Sequence, residues 1–171
     1  MKLLSQEFFA KDTVEVAREL LGKVISLNGC SVRIVETEAY KQDPASHASR
    51  RTARSALMFD THGHIYVYLV YGMYYCLNFT TDKNGVGAVL IRAAESLQGI
   101  GECSGPGKLC KTLGIDKRFN GLQVGKEIKV LDDDYQVKKI GTSARIGIKT
   151  AVDLPWRFFI EGNTCVSRIN R

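Results

Sequence analysis

The pattern of apolar and polar residues in the first forty positions predicts a helix followed by a β-hairpin. Asp12 is a suitable N-cap, and apolar residues recur at helical spacing behind it. The segments 23–27 and 30–38 have the composition and length of strands. They are joined by Asn28-Gly29, the residue pair that most favours a tight hairpin turn. The chain is therefore expected to begin with one helix and one antiparallel strand pair.

Three further apolar runs, at 64–71, 73–80 and 86–93, predict strands separated by short glycine-containing turns. Their close spacing favours antiparallel pairing, because parallel pairs need a long crossover. Beyond them the pattern predicts one helix and four short strands, at 104–114, 127–131, 137–140, 145–148 and 156–160. We expect a single compact α+β domain over residues 1–171, with a curved antiparallel β-sheet, shaped as a partly open barrel, and flanking helices.

The charge balance adds a candidate partner to this fold. Lys and Arg total 24 against 18 Asp and Glu, a net charge of +6 at pH 7. That charge suits a polyanion such as DNA, because each neutralised phosphate releases counterions. A solvated basic surface without a partner is the alternative that charge alone leaves open. The candidates for contact with a DNA backbone are Arg50, Arg51, Arg54, Lys108 and Arg145.

Cysteine usage and hydropathy indicate the compartment. The five cysteines are an odd number without a C-x-x-C pair, and the three histidines match no zinc motif, so neither disulfides nor a metal site is predicted. No stretch approaches the roughly 18 apolar residues of a membrane span. The first seven residues become polar too early for a signal peptide. We expect a cytoplasmic protein with reduced thiols and no membrane partner.

Two carboxylates and a tyrosine share one side of the second predicted strand. Glu36, Glu38 and Tyr40 have the same parity, so their side chains point to the same side. A general base could be held there on rigid backbone. The alternative is an exposed strand end with solvated acids. Two neighbouring glutamates are also compatible with a glycoside hydrolase, because rotamers decide the distance between their carboxyl groups.

An arginine on a later strand is a candidate partner for these acids. Arg92 follows the apolar run Ala88–Ile91, and an arginine is rarely buried in such a run without an acidic partner. Glu38 or Glu36 could be that partner. Arg92 could then orient a carboxylate and its water and keep the acid ionised. A structural ion pair is the alternative.

Aromatic residues are concentrated in the middle of the chain, where five of the seven tyrosines fall within ten positions. Tyr66 and Tyr68 share one face of a strand, and at least one of them is expected in the core. Tyr71 precedes Gly72 at the predicted hairpin tip, where a large aromatic could enter a base stack as a wedge. His47, in the long polar segment, could read a bound ring by hydrogen bonds.

Several of these motifs resemble the alkyladenine (3-methyladenine) DNA glycosylase family of the mammalian type. The matching segments occur in one order over nearly the whole chain, at 33–40, 46–47, 65–78, 90–93, 104–110 and 144–148. Several motifs of this length in one order are far more specific than a lone glycine pattern. The chain departs from the family at residues 52–55, Thr-Ala-Arg-Ser in place of Thr-Pro-Arg-Asn, and in a short segment between 95 and 103.

The resemblance implies a reaction and a set of site residues. It implies hydrolysis of the N-glycosidic bond of alkylated purines, of the 3-methyladenine and 7-methylguanine type, and of hypoxanthine in double-stranded DNA. By the same resemblance Glu38 is the general base, Arg92 helps to hold its water, and Tyr71 is the wedge. The implied base-pocket residues are Tyr40, His47, Tyr68 and Asn78, the last of which excludes normal guanine. Glu36 is left with a structural role.

Three further expectations follow from this assignment. No lysine replaces Glu38 in the site motifs, so a monofunctional enzyme without a strand-cleaving step is expected. No metal or organic cofactor is implied, and the protein is expected to act as a monomer. The alternatives are a non-catalytic nucleic-acid-binding module, against which the Glu38–Arg92 pair argues, and a hydrolase of free glycosides or nucleosides, against which the basic charge argues.

Overall fold

An antiparallel sheet organises the chain in the computed structural model, which describes residues 1–168. The last three residues of the predicted domain, 169–171, lie outside the described residues. The strands are β1 Lys2–Leu3, β2 Val24–Leu27, β3 Cys30–Tyr40, β4 Ile65–Val70, β5 Tyr74–Thr81, β6 Gly87–Ser96, β7 Lys129–Asp132, β8 Ile140–Ser143 and β9 Arg157–Ile160. The helices are α1 Gln6–Phe9, α2 Thr13–Glu19, α3 Ala56–Asp60 and α4 Pro106–Leu113, with 3-10 turns at His47–Ser49 and Lys117–Phe119.

The strand order confirms the predicted antiparallel architecture. The order is β1-β7-β2-β3-β6-β5-β4, and β9 pairs with both β3 and β8. Both predicted hairpins form, with Leu27 opposite Cys30 around the Asn-Gly turn and Val70 opposite Tyr74 at the second tip. The path of paired strands has two ends, so the sheet is not closed into a barrel. Its longest strand, β3, pairs with β2, β6 and β9 and therefore lies at the centre.

The two faces of the sheet pack against different helices. One face packs against α2 and α4 and forms the main apolar core, which includes Ile65, Leu77 and Phe79. The helix α2 begins where predicted, because the Asp12 carboxylate accepts hydrogen bonds from the next turn. Side chains of opposite parity, among them Tyr66, pack with α3 into a smaller second cluster. This second face is the one that carries the candidate chemistry.

Two of the four short strands predicted near the C-terminal end were misplaced. The strand predicted at 137–140 lies at Ile140–Ser143, where its register is set by pairing with β9. The strand predicted at 145–148 is wrong, because that segment is a turn. Gly147 has a φ of 76° there, and the N–H of Ile146 donates to a side chain instead of a neighbouring strand. Alternation alone could not show this.

Candidate active site

The carboxyl group of Glu38 lies near the end of β3 and is fully buried. Its Oε1 accepts a hydrogen bond from the backbone N–H of Ile146 at 2.7 Å, and its Oε2 accepts one from the hydroxyl of Tyr40 at 2.7 Å. Burial raises the pKa of Glu38, while the charge of Arg92 and these two hydrogen bonds act in the opposite direction. The sequence grouped Glu38 with Tyr40 by parity, and their side chains are in contact.

Arg92 on β6 bridges both acids that the sequence offered as its partner. Its Nη1 lies 3.6 Å from Oε2 of Glu38, and its Nε lies 3.3 Å from Oε1 of Glu36. Only 12% of the Arg92 side chain is exposed, so both contacts are only weakly screened by water. The geometry brings a cation to the carboxylate that the sequence proposed as the base.

Glu36 is held by residues that the sequence analysis missed. One oxygen accepts from Nε of Arg157 at 2.6 Å and from the hydroxyl of Ser167 at 2.9 Å, and the other accepts from the N–H of Ser167 at 2.7 Å. The carboxyl group is fully buried. Glu36 and Glu38 therefore do not form the open carboxylate pair that a glycoside hydrolase places around a sugar. Arg157 stands in an apolar run, the signal that singled out Arg92.

A small aromatic cavity of about 110 Å³ lies beside Tyr40. Its lining combines the predicted pocket residues with four others, namely Tyr40, Ala45, Ser46, His47, Met58, Tyr66, Tyr68 and Asn78. It is smaller than the roughly 300 Å³ at the lower end of drug-sized pockets, so it suits one flat ring system. The Tyr40 hydroxyl links this cavity to Glu38.

The walls of the cavity are fixed by contacts among its own residues. Nδ1 of His47 lies 2.9 Å from the hydroxyl of Tyr66, and the ring of His47 meets that of Tyr68 edge-on at 4.7 Å. Burial and the charge of Arg54 lower the pKa of His47, which favours a neutral imidazole at pH 7. The buried amide of Asn78 donates to the carbonyl of Tyr66 at 3.1 Å, so its orientation is set by the strand pairing.

The β4–β5 hairpin tip projects Tyr71 into solvent, with 86% of its surface exposed. Tyr71 and Gly72 both have positive φ, 52° and 65°, so a non-glycine residue occupies the left-handed region at the first position. Met73 and Tyr74 are exposed beside it. The tip predicted from sequence is therefore an apolar, aromatic projection held by a strained turn.

Four of the predicted backbone contacts lie on the surface. Arg50 is exposed, and the guanidinium of Arg51 forms a bidentate pair with Asp60 at 2.5 and 2.6 Å. Arg54 lies 5.2 Å from the ring of Tyr68. Lys108 is exposed and contacts Glu102 at 2.6 Å. These four side chains are accessible to a polyanion, and two of them would exchange a carboxylate for a phosphate.

Arg145 was expected to contact a DNA backbone, but its side chain is buried, so that expectation is wrong. Its side chain is 0% exposed and pairs with the carboxylate of Asp43 at 2.7 and 3.0 Å. Its guanidinium lies over the rings of Tyr40 and Trp156, 4.7 and 5.2 Å from their centres. From sequence alone Arg145 resembled a surface cation, because the partners that bury it are distant along the chain.

Two features are absent from the part of the chain that the structure describes. Within residues 1–168, no group of three or more His, Cys, Asp or Glu side chains is arranged to hold a metal ion. No helix in that part of the chain combines the length and apolar character needed to cross a membrane.

Comparison with known proteins identifies the family. The family model described as methylpurine-DNA glycosylase (MPG) matches residues 7–164. The chain is 42% identical over 194 positions to a protein of Methanocella arvoryzae, covering 98% of this chain and 97% of that protein. It is 41% identical over 201 positions to a Desulfitobacterium hafniense protein, covering 98% and 99%, and 42% identical over 202 positions to a Clostridium perfringens protein, covering 96% and 98%.

These three relatives carry the provisional name 3-methyladenine DNA glycosylase. Their aligned regions are longer than the 171 residues of this chain, so they contain insertions relative to it. The family model covers most of the chain, including every candidate site residue. The chain therefore belongs to the methylpurine-DNA glycosylase family.

Proposed function

We propose that this protein excises alkylated purines, of the 3-methyladenine and 7-methylguanine type, and hypoxanthine from double-stranded DNA. It hydrolyses the N-glycosidic bond and leaves an abasic site. The observation that carries the proposal is a buried glutamate, Glu38, whose two oxygens are held by hydrogen bonds and which Tyr40 links to an aromatic cavity. The names of the relatives support 3-methyladenine as a substrate.

The target bond is hidden in duplex DNA, so the nucleotide must first leave the stack, at a cost of a few kcal/mol. The exposed ring of Tyr71 would enter the gap as a wedge. The extruded base would occupy the cavity between Tyr40, His47 and Tyr68. The fixed amide of Asn78 would meet the 2-amino group of normal guanine there and disfavour it.

In the chemical step water attacks C1′ of the sugar while the bond to the purine nitrogen breaks. The bonding electrons leave with the purine, and the sugar gains oxocarbenium character. Glu38 accepts the proton from water and stabilises the positive sugar. Arg92 holds that water and favours the ionised carboxylate. An alkylated, cationic purine also gains about 0.5–2 kcal/mol from the faces of Tyr40 and Tyr68.

Hydrolysis without strand cleavage is the form of the reaction that these residues favour. A strand-cleaving glycosylase needs an amine to form a Schiff base with the sugar. In the described part of the chain, no lysine lines the cavity or bonds to Glu38. A neutral base such as hypoxanthine leaves more slowly than a cationic one and requires protonation.

The test compares Glu38→Gln with Glu161→Gln, a control at an exposed surface glutamate. Labelled duplexes containing hypoxanthine or 7-methylguanine are incubated with each protein and heated in alkali, which cleaves abasic sites. We expect Glu38→Gln to bind lesion duplex but to lose about 10²- to 10⁴-fold in single-turnover rate, while Glu161→Gln retains it. Undiminished excision by Glu38→Gln would contradict the assignment of the base.

The same assay separates the alternative functions. Tight duplex binding by the wild-type protein without any alkali-labile product would favour the non-catalytic binding module. Release of hypoxanthine from free inosine as fast as from duplex DNA would favour a nucleoside hydrolase. Scission before the alkali step would show a strand-cleaving activity and overturn the monofunctional assignment.

A further inference from the structure

A buried arginine, Arg145, connects three parts of the candidate site. Its bidentate contact with Asp43 reaches the segment that precedes the cavity residue His47. Its Nη1 also donates to the carbonyl of Ala39 at 3.1 Å, between Glu38 and Tyr40 on β3. The ring of Tyr40 lies against one side of the guanidinium, 4.7 Å away.

The residue after Arg145 contacts the catalytic carboxylate directly. The N–H of Ile146 is 2.7 Å from Oε1 of Glu38 and is a backbone donor to that group. Gly147, with a φ of 76°, reverses the chain immediately afterwards. The position of this donor therefore depends on how the turn is anchored, and Arg145 is the buried anchor next to it.

The Asp43 end of the contact reaches the cavity wall. The carbonyl of Asp43 accepts from the N–H of Ser46 at 3.0 Å, and its carboxylate accepts from the N–H of Ala45 at 3.0 Å. Ala45, Ser46 and His47 all line the cavity. One ion pair thus spans the base pocket, the catalytic strand and the turn that donates to Glu38.

We propose that Arg145 is a positioning residue, which fixes the Ile146 donor on Glu38 and the ring of Tyr40 against the base pocket. This inference rests on the proposed function. A buried ion pair often adds little to stability compared with an apolar substitute. The role that we assign to this ion pair is therefore the geometry that it imposes on the two sides of the site.

Substitution of Arg145 is therefore expected to change the rate of catalysis and its pH dependence even in the protein molecules that fold. Without the ion pair between Arg145 and Asp43, the N–H of Ile146 is no longer held on the carboxylate of Glu38. The pKa of Glu38, already raised by burial, then rises further. The ionised base is then lost at a higher pH. The charged and titratable groups that face Glu38 are Glu36, Tyr40, Tyr68, Cys76, Arg92 and Arg157. Arg145 also holds the ring of Tyr40, so a weakened hydrogen bond from Tyr40 to Glu38 adds to the same effect.

The experiment compares Arg145→Met with a matched control, Arg33→Met. Arg33 is also buried, forms a bidentate pair with Asp133 at 2.9 and 2.8 Å, donates to the carbonyl of Gly22 and stacks on Tyr135 at 4.0 Å. None of these partners lines the cavity or contacts Glu38. Single-turnover excision of an alkylated duplex is measured from acid to neutral pH, with rates divided by the active fraction from burst titration.

We expect Arg145→Met to lose about 10- to 100-fold in rate at the optimum and to shift its acid limb to higher pH. Arg33→Met keeps the wild-type rate per active site and the wild-type midpoint. A wild-type rate and midpoint in Arg145→Met, or equal changes in Arg33→Met, would overturn the inference. If Arg145→Met does not fold, Asp43→Asn reduces the bidentate contact to a single hydrogen bond, because an amide has one acceptor oxygen. We expect it to lose rate per active site relative to Arg33→Met, and a wild-type rate would overturn the inference.

Failure of the proposed function would look different. In that case the wild-type protein itself releases no base from any lesion duplex. The positioning role is tested only by the differences among variants of a protein that does excise.

Discussion

At the residue scale, the proposed mechanism requires Glu38 to be ionised in a buried position that disfavours its charge. Burial raises the pKa of Glu38, and only Arg92 and two hydrogen bonds favour the ionised form. The same carboxylate is therefore both the proposed base and a source of instability at neutral pH. Catalytic groups commonly show this conflict between function and folding stability.

This conflict gives a prediction about stability. The folded-state pKa of Glu38 lies above its unfolded value of about 4.3, so its contribution to stability is full below that value and is lost as pH rises through the folded pKa. Glu38→Gln lacks this titration. We expect the melting temperature of Glu38→Gln minus that of wild type to increase from about pH 4 to pH 8, as measured by calorimetry at matched ionic strength. A difference that is flat or falls with pH would contradict the raised pKa.

At the element scale, the β4–β5 hairpin illustrates how function is placed on a local structure. The sequence was sufficient to predict its two strands and its tip, because the apolar runs lie on either side of Gly72. The residue at the tip does not suit the turn, because a tyrosine with a φ of 52° is strained where asparagine or glycine would not be. Such strain is typical of positions selected for a task other than stability.

We predict that Tyr71→Asn stabilises the protein while weakening its capture of lesions. Relief of the left-handed strain, about 1 kcal/mol, corresponds to a rise of about 2–4 °C in melting temperature. Removal of the exposed ring eliminates the wedge, so binding of a lesion duplex weakens whereas binding to a single strand does not. Thermal melts and titrations with both DNAs test this. Unchanged duplex affinity would exclude a wedge role for Tyr71.

At the scale of the whole molecule, exposed basic residues that contribute to the net charge of +6 lie both beside the cavity and at the far end of the sheet. Arg50 is exposed on the segment that carries the cavity residue His47. Lys129 is exposed on β7, next to the terminal strand β1 and far in the strand order from β4. A duplex centred on the cavity would therefore contact one of these residues and not the other.

Salt dependence of DNA binding measures this difference. Each phosphate contact contributes about 0.9 to the slope of log affinity against log salt concentration. We expect Arg50→Ala to lower the magnitude of that slope by about one and Lys129→Ala to leave it unchanged, in titrations from low to physiological salt. Equal slopes for the two variants would place the DNA on another face.

Local patterns in the sequence determined much of the fold and part of the site. The Asp12 cap, the two hairpins and the shared side of Glu38 and Tyr40 all depend on residues a few positions apart, so they were readable directly. The motif order also indicated the family, which the comparisons confirmed. The wrong strand at 145–148 shows the limit of alternation, because the bonds that define that turn are not local.

Strand parity does not separate Glu36 from Glu38, and only the order of the motifs assigned them different roles. The tertiary structure supplies the physical difference between them. Glu36 and Glu38 stand on the same strand with the same parity, yet one is closed off by Arg157 and Ser167 while the other is linked to a cavity. Arg145 looked like a surface cation, because Asp43 and Ala39 lie more than one hundred positions away in sequence. Burial and long-range pairing set the role of an ionisable side chain, and neither is encoded in its neighbours along the chain.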